Sequence, residues 1–266
     1  MSEMTTRHPM TLKPALLQLP GMDAVKVQRG LVYREIEGGS STFDLWKPAH
    51  VSGGQAAAVL FVSGFPDPGF ERHFGCRVME MASYESWARL VAASGLVAVT
   101  YANREPAADF TAVLRHLHKH AADLGVDPKR IAILAFSGNV PTALGALLVG
   151  AEVPIAGAAL CCGYMFDADA AASQIGFANP CAGRSVREMD PRVPLLVVRA
   201  GQDQTPGLNA TIDRFVADAL SRDLPVTLVN RAGAPHAFDL LDDTDETRHV
   251  IRTILEFLRV KLGASA

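Results

Sequence analysis

Long apolar runs are missing from this sequence. No window of about 18 residues is apolar and free of charges and breakers, which excludes a helix able to span a bilayer. The opening stretch, MSEMTTRHPMTLKPALLQLPG, carries charges and Pro9, Pro14 and Pro20 where a secretory leader would carry an uninterrupted apolar core. Cysteine is scarce. Cys76, Cys161, Cys162 and Cys181 show neither CxxC nor Cys/His zinc spacing, so no metal site is expected. Cys161 and Cys162 lie in an apolar run, and buried thiols in a reducing cytoplasm are the expectation. Nothing argues for a Cys162–Cys181 bridge. An excess of either charge is also lacking: 25 Lys and Arg face 28 Asp and Glu, for a net charge of -3. That balance gives no reason to expect nucleic acid or a membrane surface as partner. Internal repeats and low-complexity linkers are absent as well.

What the sequence has is apolar material in short, regular pieces. With 49% hydrophobic residues in 266, one large core can be buried. Residues 1–24 read as an arm, loosely packed, folded on the body or placed on a second copy, which leaves a homo-oligomer open. Val25–Ile36 and Ser41–Pro48, separated by the turn signal Glu37-Gly38-Gly39-Ser40, read as an antiparallel strand pair. Continuous apolar runs follow at Ala56–Ser63, Leu96–Tyr101, Arg130–Phe136, Pro154–Cys162, Pro194–Arg199 and Val226–Asn230. Such runs suit strands buried on both faces of a parallel sheet. Helical spacing fills the gaps at Cys76–Ala93, Ala107–Leu124, Leu208–Leu220 and Thr244–Leu262. The alternation predicts an α/β fold with a mostly parallel central sheet, helices on both faces and an antiparallel N-terminal start. A single domain over 25–266 is the economical reading. Residues 163–192 are too long and too weakly periodic for a plain crossover and read as an insertion, a candidate lid or cap.

Chemistry is sought where sheets of this kind place it, at the carboxyl ends of strands. The run Ile131–Ala135 turns sharply at Phe136-Ser137-Gly138-Asn139 and continues as a helix-compatible segment rich in Ala and Leu. A strand reversing through serine into a helix is the shape of a nucleophile elbow. Asp203 follows the Pro194–Arg199 run and His236 follows Val226–Asn230. A serine hydroxyl needs an adjacent base. Histidine can accept and return a proton near neutral pH, and a carboxylate fixes the tautomer of the imidazole and stabilises its protonated form. The rival acids Asp190, Asp239, Asp242 and Asp243 do not directly follow a strand. Donors for a developing oxyanion are expected from the backbone N–H of Gly138 and from the loop after Ala56–Ser63, where Phe65 is the choice. Phe65, Phe70, Met165, Phe166, Phe177 and Phe238 are candidates to line a substrate pocket. Asn139 could face the substrate, and Arg104, after Leu96–Tyr101, could bind a substrate carboxylate or pair with Glu105 or Asp109. His116, His118 and His120 read as solvated or partly packed helix residues.

The order Ser137, Asp203, His236 resembles that of the α/β-hydrolase superfamily, more narrowly its carboxylesterase and dienelactone-hydrolase-like branch. The resemblance covers roughly residues 25–262. It rests on Ala135-Phe136-Ser137-Gly138-Asn139, Gly201-Gln202-Asp203, Gly233-Ala234-Pro235-His236-Ala237-Phe238, and Ser63-Gly64-Phe65-Pro66 as the counterpart of the family's His-Gly-x-x oxyanion loop. The departures are specific. Ala135 and Asn139 replace the glycines of G-x-S-x-G, and Ser63 stands where His is common. Dienelactone hydrolases proper use a cysteine nucleophile, so the serine points to ester hydrolysis. The resemblance implies a cofactor-independent serine esterase acting on a small-molecule ester through an acyl-enzyme. A peptidase or thioesterase on the same residues, or a catalytically silent binding protein that keeps the fold, are the alternatives.

Overall fold

In a computed structural model of the chain, residues 6–50, 54–166 and 175–264 are described. Strands β1 (Lys26–Ile36) and β2 (Gly39–Lys47) form an antiparallel pair. β1 is largely solvent-facing and lies at the sheet's edge. The runs that are apolar without alternation become β3 (Ala56–Phe61), β4 (Val97–Tyr101), β5 (Val126–Phe136), β6 (Gly157–Cys161) and β7 (Leu195–Ala200), with β8 (Val226–Arg231) at the other edge. The spatial order is β1-β2-β4-β3-β5-β6-β7-β8. β2 meets β4 antiparallel, and every pairing from β4 onward is parallel. The mostly parallel sheet with an antiparallel start is therefore the observed architecture.

Period-two alternation sorts the central strands between two cores. Ala58, Leu60 and Val62 after β3, with Ile131, Ile133 and Ala135 of β5, face one side. That side is covered by helices α3 (Pro106–Lys119), α4 (Val140–Gly145) and α5 (Leu208–Leu220). Ala57, Val59, Phe61, Ala132 and Leu134 face the other. There α2 (Ala82–Ala93) and α6 (Asp245–Lys261) pack, along with Ala15, Leu17 and Met22 of the N-terminal arm. Helix α6 is well specified locally. Thr244 caps it by accepting from Thr247 N–H, acids occupy its first turn, and Arg259 and Lys261 occupy its last. That charge order suits the helix dipole.

Phe70 sits on a further helix, α1 (Asp67–Phe74), ended by Gly75 in the left-handed conformation. One helical expectation changes in detail. Cys76–Ala93 is not one helix: a 3-10 turn at Val78–Glu80 precedes α2. Of the residues 163–192, those from 167 to 174 lie outside the described residues, as do 1–5 of the arm. The described part of the arm is fastened to the body by hydrogen bonds at His8, Ala15 and Leu16. Cys76, Cys161, Cys162 and Cys181 are free and buried. No helix among the described residues is long and apolar enough to cross a membrane.

Candidate active site

β5 delivers Ser137 to the carboxyl edge of the sheet, in the middle of its strand order. The chain reverses there through a 3-10 turn, Ser137–Asn139, that leads into α4. Ser137 has φ +54°, a left-handed conformation that costs a non-glycine residue on the order of 1–3 kcal/mol. It lifts the side chain clear of strand and helix. Pro141, at the start of α4, sits where a missing N–H costs little. A close approach supports the turn from the neighbouring strand. A side chain at Gly163, just after β6, would lie 2.3 Å from the Ser137 carbonyl oxygen, so only glycine fits there.

Two other loops bring the partners. Gly201, after β7, packs so tightly on the loop after β8 that a Cβ would lie 2.2 Å from the Ala232 carbonyl. The two loops also share backbone bonds, Gly201 N–H to Arg231 and Gln202 N–H to Ala234. Asp203 and His236 are thereby set against each other. Ser137 Oγ lies 2.9 Å from His236 Nε2, and His236 Nδ1 lies 2.6 Å from Asp203 Oδ2. The chain of contacts assigns the tautomer: Nδ1–H donates to the carboxylate, and Nε2 accepts from the serine hydroxyl. The Asp203 side chain is fully buried. Burial opposes its ionisation, but hydrogen bonds from His236 and Thr205 outweigh it and hold the carboxyl below its usual range. It is thus an anion at neutral pH. The rival acids are engaged elsewhere: Asp190 with Arg192, Asp239 with Trp87, Asp242 with Thr247 and Arg231, and Asp243 with Arg248. Cys162, close by with φ +49°, offers no thiolate, because burial pushes its thiol well up.

The turn after β3 is built by side chains from four other places. Asn139 Oδ1 accepts from Gly64 N–H at 2.7 Å, while its Nδ2 donates to Tyr84 Oη and to the Phe136 carbonyl. Tyr84 in turn donates to the Val62 carbonyl. Asn103 Nδ2 donates to Ser63 Oγ and to the Phe65 carbonyl. Tyr101 Oη accepts from Ser63 N–H. Asp67, at the start of α1, accepts from the backbone N–H groups of Asn103 and Val78. No hydrogen bond among the described residues occupies the backbone N–H of Phe65 or of Gly138. Both remain available to an anionic oxygen.

Ser137 and His236 open into a cavity of about 390 Å³. Phe70, Phe177 and Phe238 line it. Phe177 lies so close to the elbow that a Cβ on Gly138 would be 2.5 Å from its ring. Phe65 presents its ring to Phe70 and Phe177. Three expectations are corrected. Met165 and Phe166 border a different cavity, of about 260 Å³, together with Thr211 and Phe215, because the chain after β6 turns toward α5. Arg104 is exposed and absent from the cavity wall, and its backbone N–H donates to Asp109. Asn139 borders the cavity, but both ends of its amide are committed to protein groups. No group of three or more His, Cys, Asp or Glu among the described residues is placed to hold a metal ion. Asn103, Asp67, Tyr84 and Tyr101 belong to no motif in the sequence. Asn103 has one positional signal: it lies two residues beyond β4, beside Arg104.

No known family model matches the chain, and no curated protein matches it. Solved structures do. A bacterial heroin esterase superposes with a TM-score of 0.67 at 17% identity, over 93% of this chain and 87% of its own. Esterase B from Lactobacillus rhamnosis, inhibited by a tributyrin phosphonate, gives 0.68 at 13% identity over 91% and 87%. An alpha/beta hydrolase from a Medee basin deep-sea metagenome library gives 0.63 at 17% identity over 90% and 98%. The chain has the α/β-hydrolase fold.

Two predictions test this arrangement. Asn139→Gly, which restores the common elbow glycine, strands the buried Gly64 N–H and is expected to destabilise the protein by about 1–3 kcal/mol; a denaturation midpoint equal to or above that of the native chain counts against the clasp. Burial raises the Asp67 carboxyl to about 6, against its backbone hydrogen bonds and the Arg77 charge. Its folded pKa exceeds its unfolded value of about 3.9, so the folded state holds the proton more tightly. The stability linked to that proton is present below about pH 4 and is lost as pH rises through about 6. Urea midpoints followed across this window are expected to fall for the native chain and to fall less for Asp67→Asn. Parallel curves would remove Asp67 as the source.

Proposed function

We propose that this chain is a serine hydrolase that cleaves carboxylic esters through an acyl-enzyme. The observation that carries the reading is the continuous chain Ser137 Oγ–His236 Nε2 at 2.9 Å and His236 Nδ1–Asp203 Oδ2 at 2.6 Å, set beside two unengaged backbone N–H groups. In this reading Ser137 Oγ attacks the ester carbonyl carbon as its proton passes to Nε2. The buried Asp203 carboxylate stabilises the imidazolium that forms. The N–H groups of Phe65 and Gly138 donate to the carbonyl oxygen as it becomes negative, a contribution of about 2.7–4 kcal/mol per donor. The C–O bond to the alcohol then breaks and the leaving oxygen takes the proton from Nε2. Water, deprotonated by the same nitrogen, cleaves the acyl-serine and restores the starting state. The steps balance without a cofactor.

The fold shared with structures described as esterases supports the choice of ester over other acyl compounds, as does the largely apolar wall of the cavity. We place the protein in the cytoplasm as a soluble enzyme acting on small molecules, supported by its four free thiols.

An alkyl phosphonate probe is expected to add its mass to the native chain at Ser137 and to leave Ser137→Ala unlabelled. Steady-state ester hydrolysis by that variant should drop on the order of 10^6-fold. Labelling that survives the substitution would dispose of Ser137 as nucleophile. Parallel panels of esters, thioesters and peptides then assign the acyl compound, and hydrolysis of none of them would leave a silent binding protein.

A further inference from the structure

The cavity that Ser137 enters is not closed by the α/β body alone. Part of its wall is Met10 and Thr11 of the N-terminal arm. These residues belong to a 3-10 turn, Pro9–Leu12, that is fixed from within: His8 Nδ1 accepts from Met10 N–H, and Thr11 Oγ1 donates to the His8 carbonyl. Thr11 is fully buried. The arm is also pinned on both sides of Met10. Before it, His8 N–H donates to the Phe74 carbonyl at the end of α1, where the backbone of Arg7 lies 3.0 Å from the place of a Cβ on Gly75. After it, Ala15 N–H donates to Ser86 Oγ on α2, and Leu16 N–H donates to the Asp239 carbonyl, three residues beyond His236. Met10 is therefore a positioned wall rather than a passing contact.

The chemistry of that wall defines what it receives. Aromatic and aliphatic side chains dominate it, and neither lysine nor arginine among the described residues takes part. Asp239, the one acid among those residues, has its carboxyl pushed up by burial. A substrate carboxylate would find no counter-charge there, and an apolar group would lose only water. From these observations, and building on the esterase reading, we infer that the N-terminal arm sets substrate size: Met10 is a specificity-determining stop for the apolar group of the ester that occupies this cavity.

The test compares the native chain with Met10→Ala and Met10→Trp on two homologous series, straight-chain acyl esters of one chromogenic alcohol and straight-chain alkyl acetates. Whichever group of the ester enters the cavity, one series reports it. In that series Met10→Ala is expected to move the kcat/KM optimum to longer chains, gaining about fourfold for each further methylene that the cavity now accepts. Met10→Trp is expected to move it to shorter ones. Identical profiles for all three proteins in both series, with hydrolysis intact, would overturn the inference and leave the esterase reading standing. If the native chain hydrolyses no ester, that reading fails separately. The cavity is then read without turnover by the rise in Tm that a series of n-alkanols gives each protein: a cut-off length that shifts with residue 10 upholds the arm as a stop, and an unshifted one rejects it. A truncation that removes the arm is less decisive because Ala15, Leu17 and Met22 are part of the core.

Discussion

Everything at this site depends on one unfavourable backbone conformation. Ser137 is held at φ +54° between a strand buried from Ile131 to Ala135 and a short helix, and a serine left to itself would not stay there. Its surroundings impose it. β5 is locked between β3 and β6 in parallel register, and Gly163 lets the chain after β6 press against the turn. Asn139 binds the turn's own Phe136 carbonyl while reaching across to Gly64 and Tyr84. Left-handed residues recur nearby at Cys162 and Ala237, so strain is gathered where strands end and loops converge. This fits the general pairing of local strain with functional geometry.

Asn139 changes the meaning of a departure from the common elbow. Read as sequence, an asparagine where glycine is usual raises doubt about the turn. In the structure it ties the turn of Ser137 to the loop that carries Phe65. The two unengaged backbone N–H groups, of Phe65 and Gly138, thus sit on segments joined by a side-chain hydrogen bond of 2.7 Å to Gly64 N–H. Serine at position 63 makes a similar exchange. Its hydroxyl accepts from Asn103, which also holds the Phe65 carbonyl, so the loop keeps its shape through a side chain supplied from the end of β4.

The centre of the sheet was legible because its strands are apolar in continuous runs and its helices are not, a contrast that survives in one dimension. Ser137, Asp203 and His236 were legible for a related reason: each lies just beyond such a run, and topology alone carries strand ends to one edge. Lateral placement was harder to read. Met165 and Phe166 follow β6 at the same edge yet turn toward α5 and away from Ser137. Arg104 and Asn103 are adjacent, and only the structure separates the exposed one from the buried one. The network of Asp67, Tyr84, Tyr101 and Asn103 consists of bonds between loops and elements distant in sequence. It has no period and no motif. The arm had prolines but no pattern, and its role emerged only from what it covers.

The cavity wall also joins segments far apart in the chain: Met10, in the arm, and Ile254, on α6. Leu16 hydrogen-bonds the Asp239 carbonyl, across more than two hundred residues. During synthesis the arm is made long before Asp239 and α6 exist to meet it. The strand and turn of Ser137 can form well before that moment, but without a finished pocket beside them. Domains commonly fold as units while they are being made; here α6 completes a wall begun by the N-terminal arm, so a chain that stops short of α6 carries Ser137 with an open cavity.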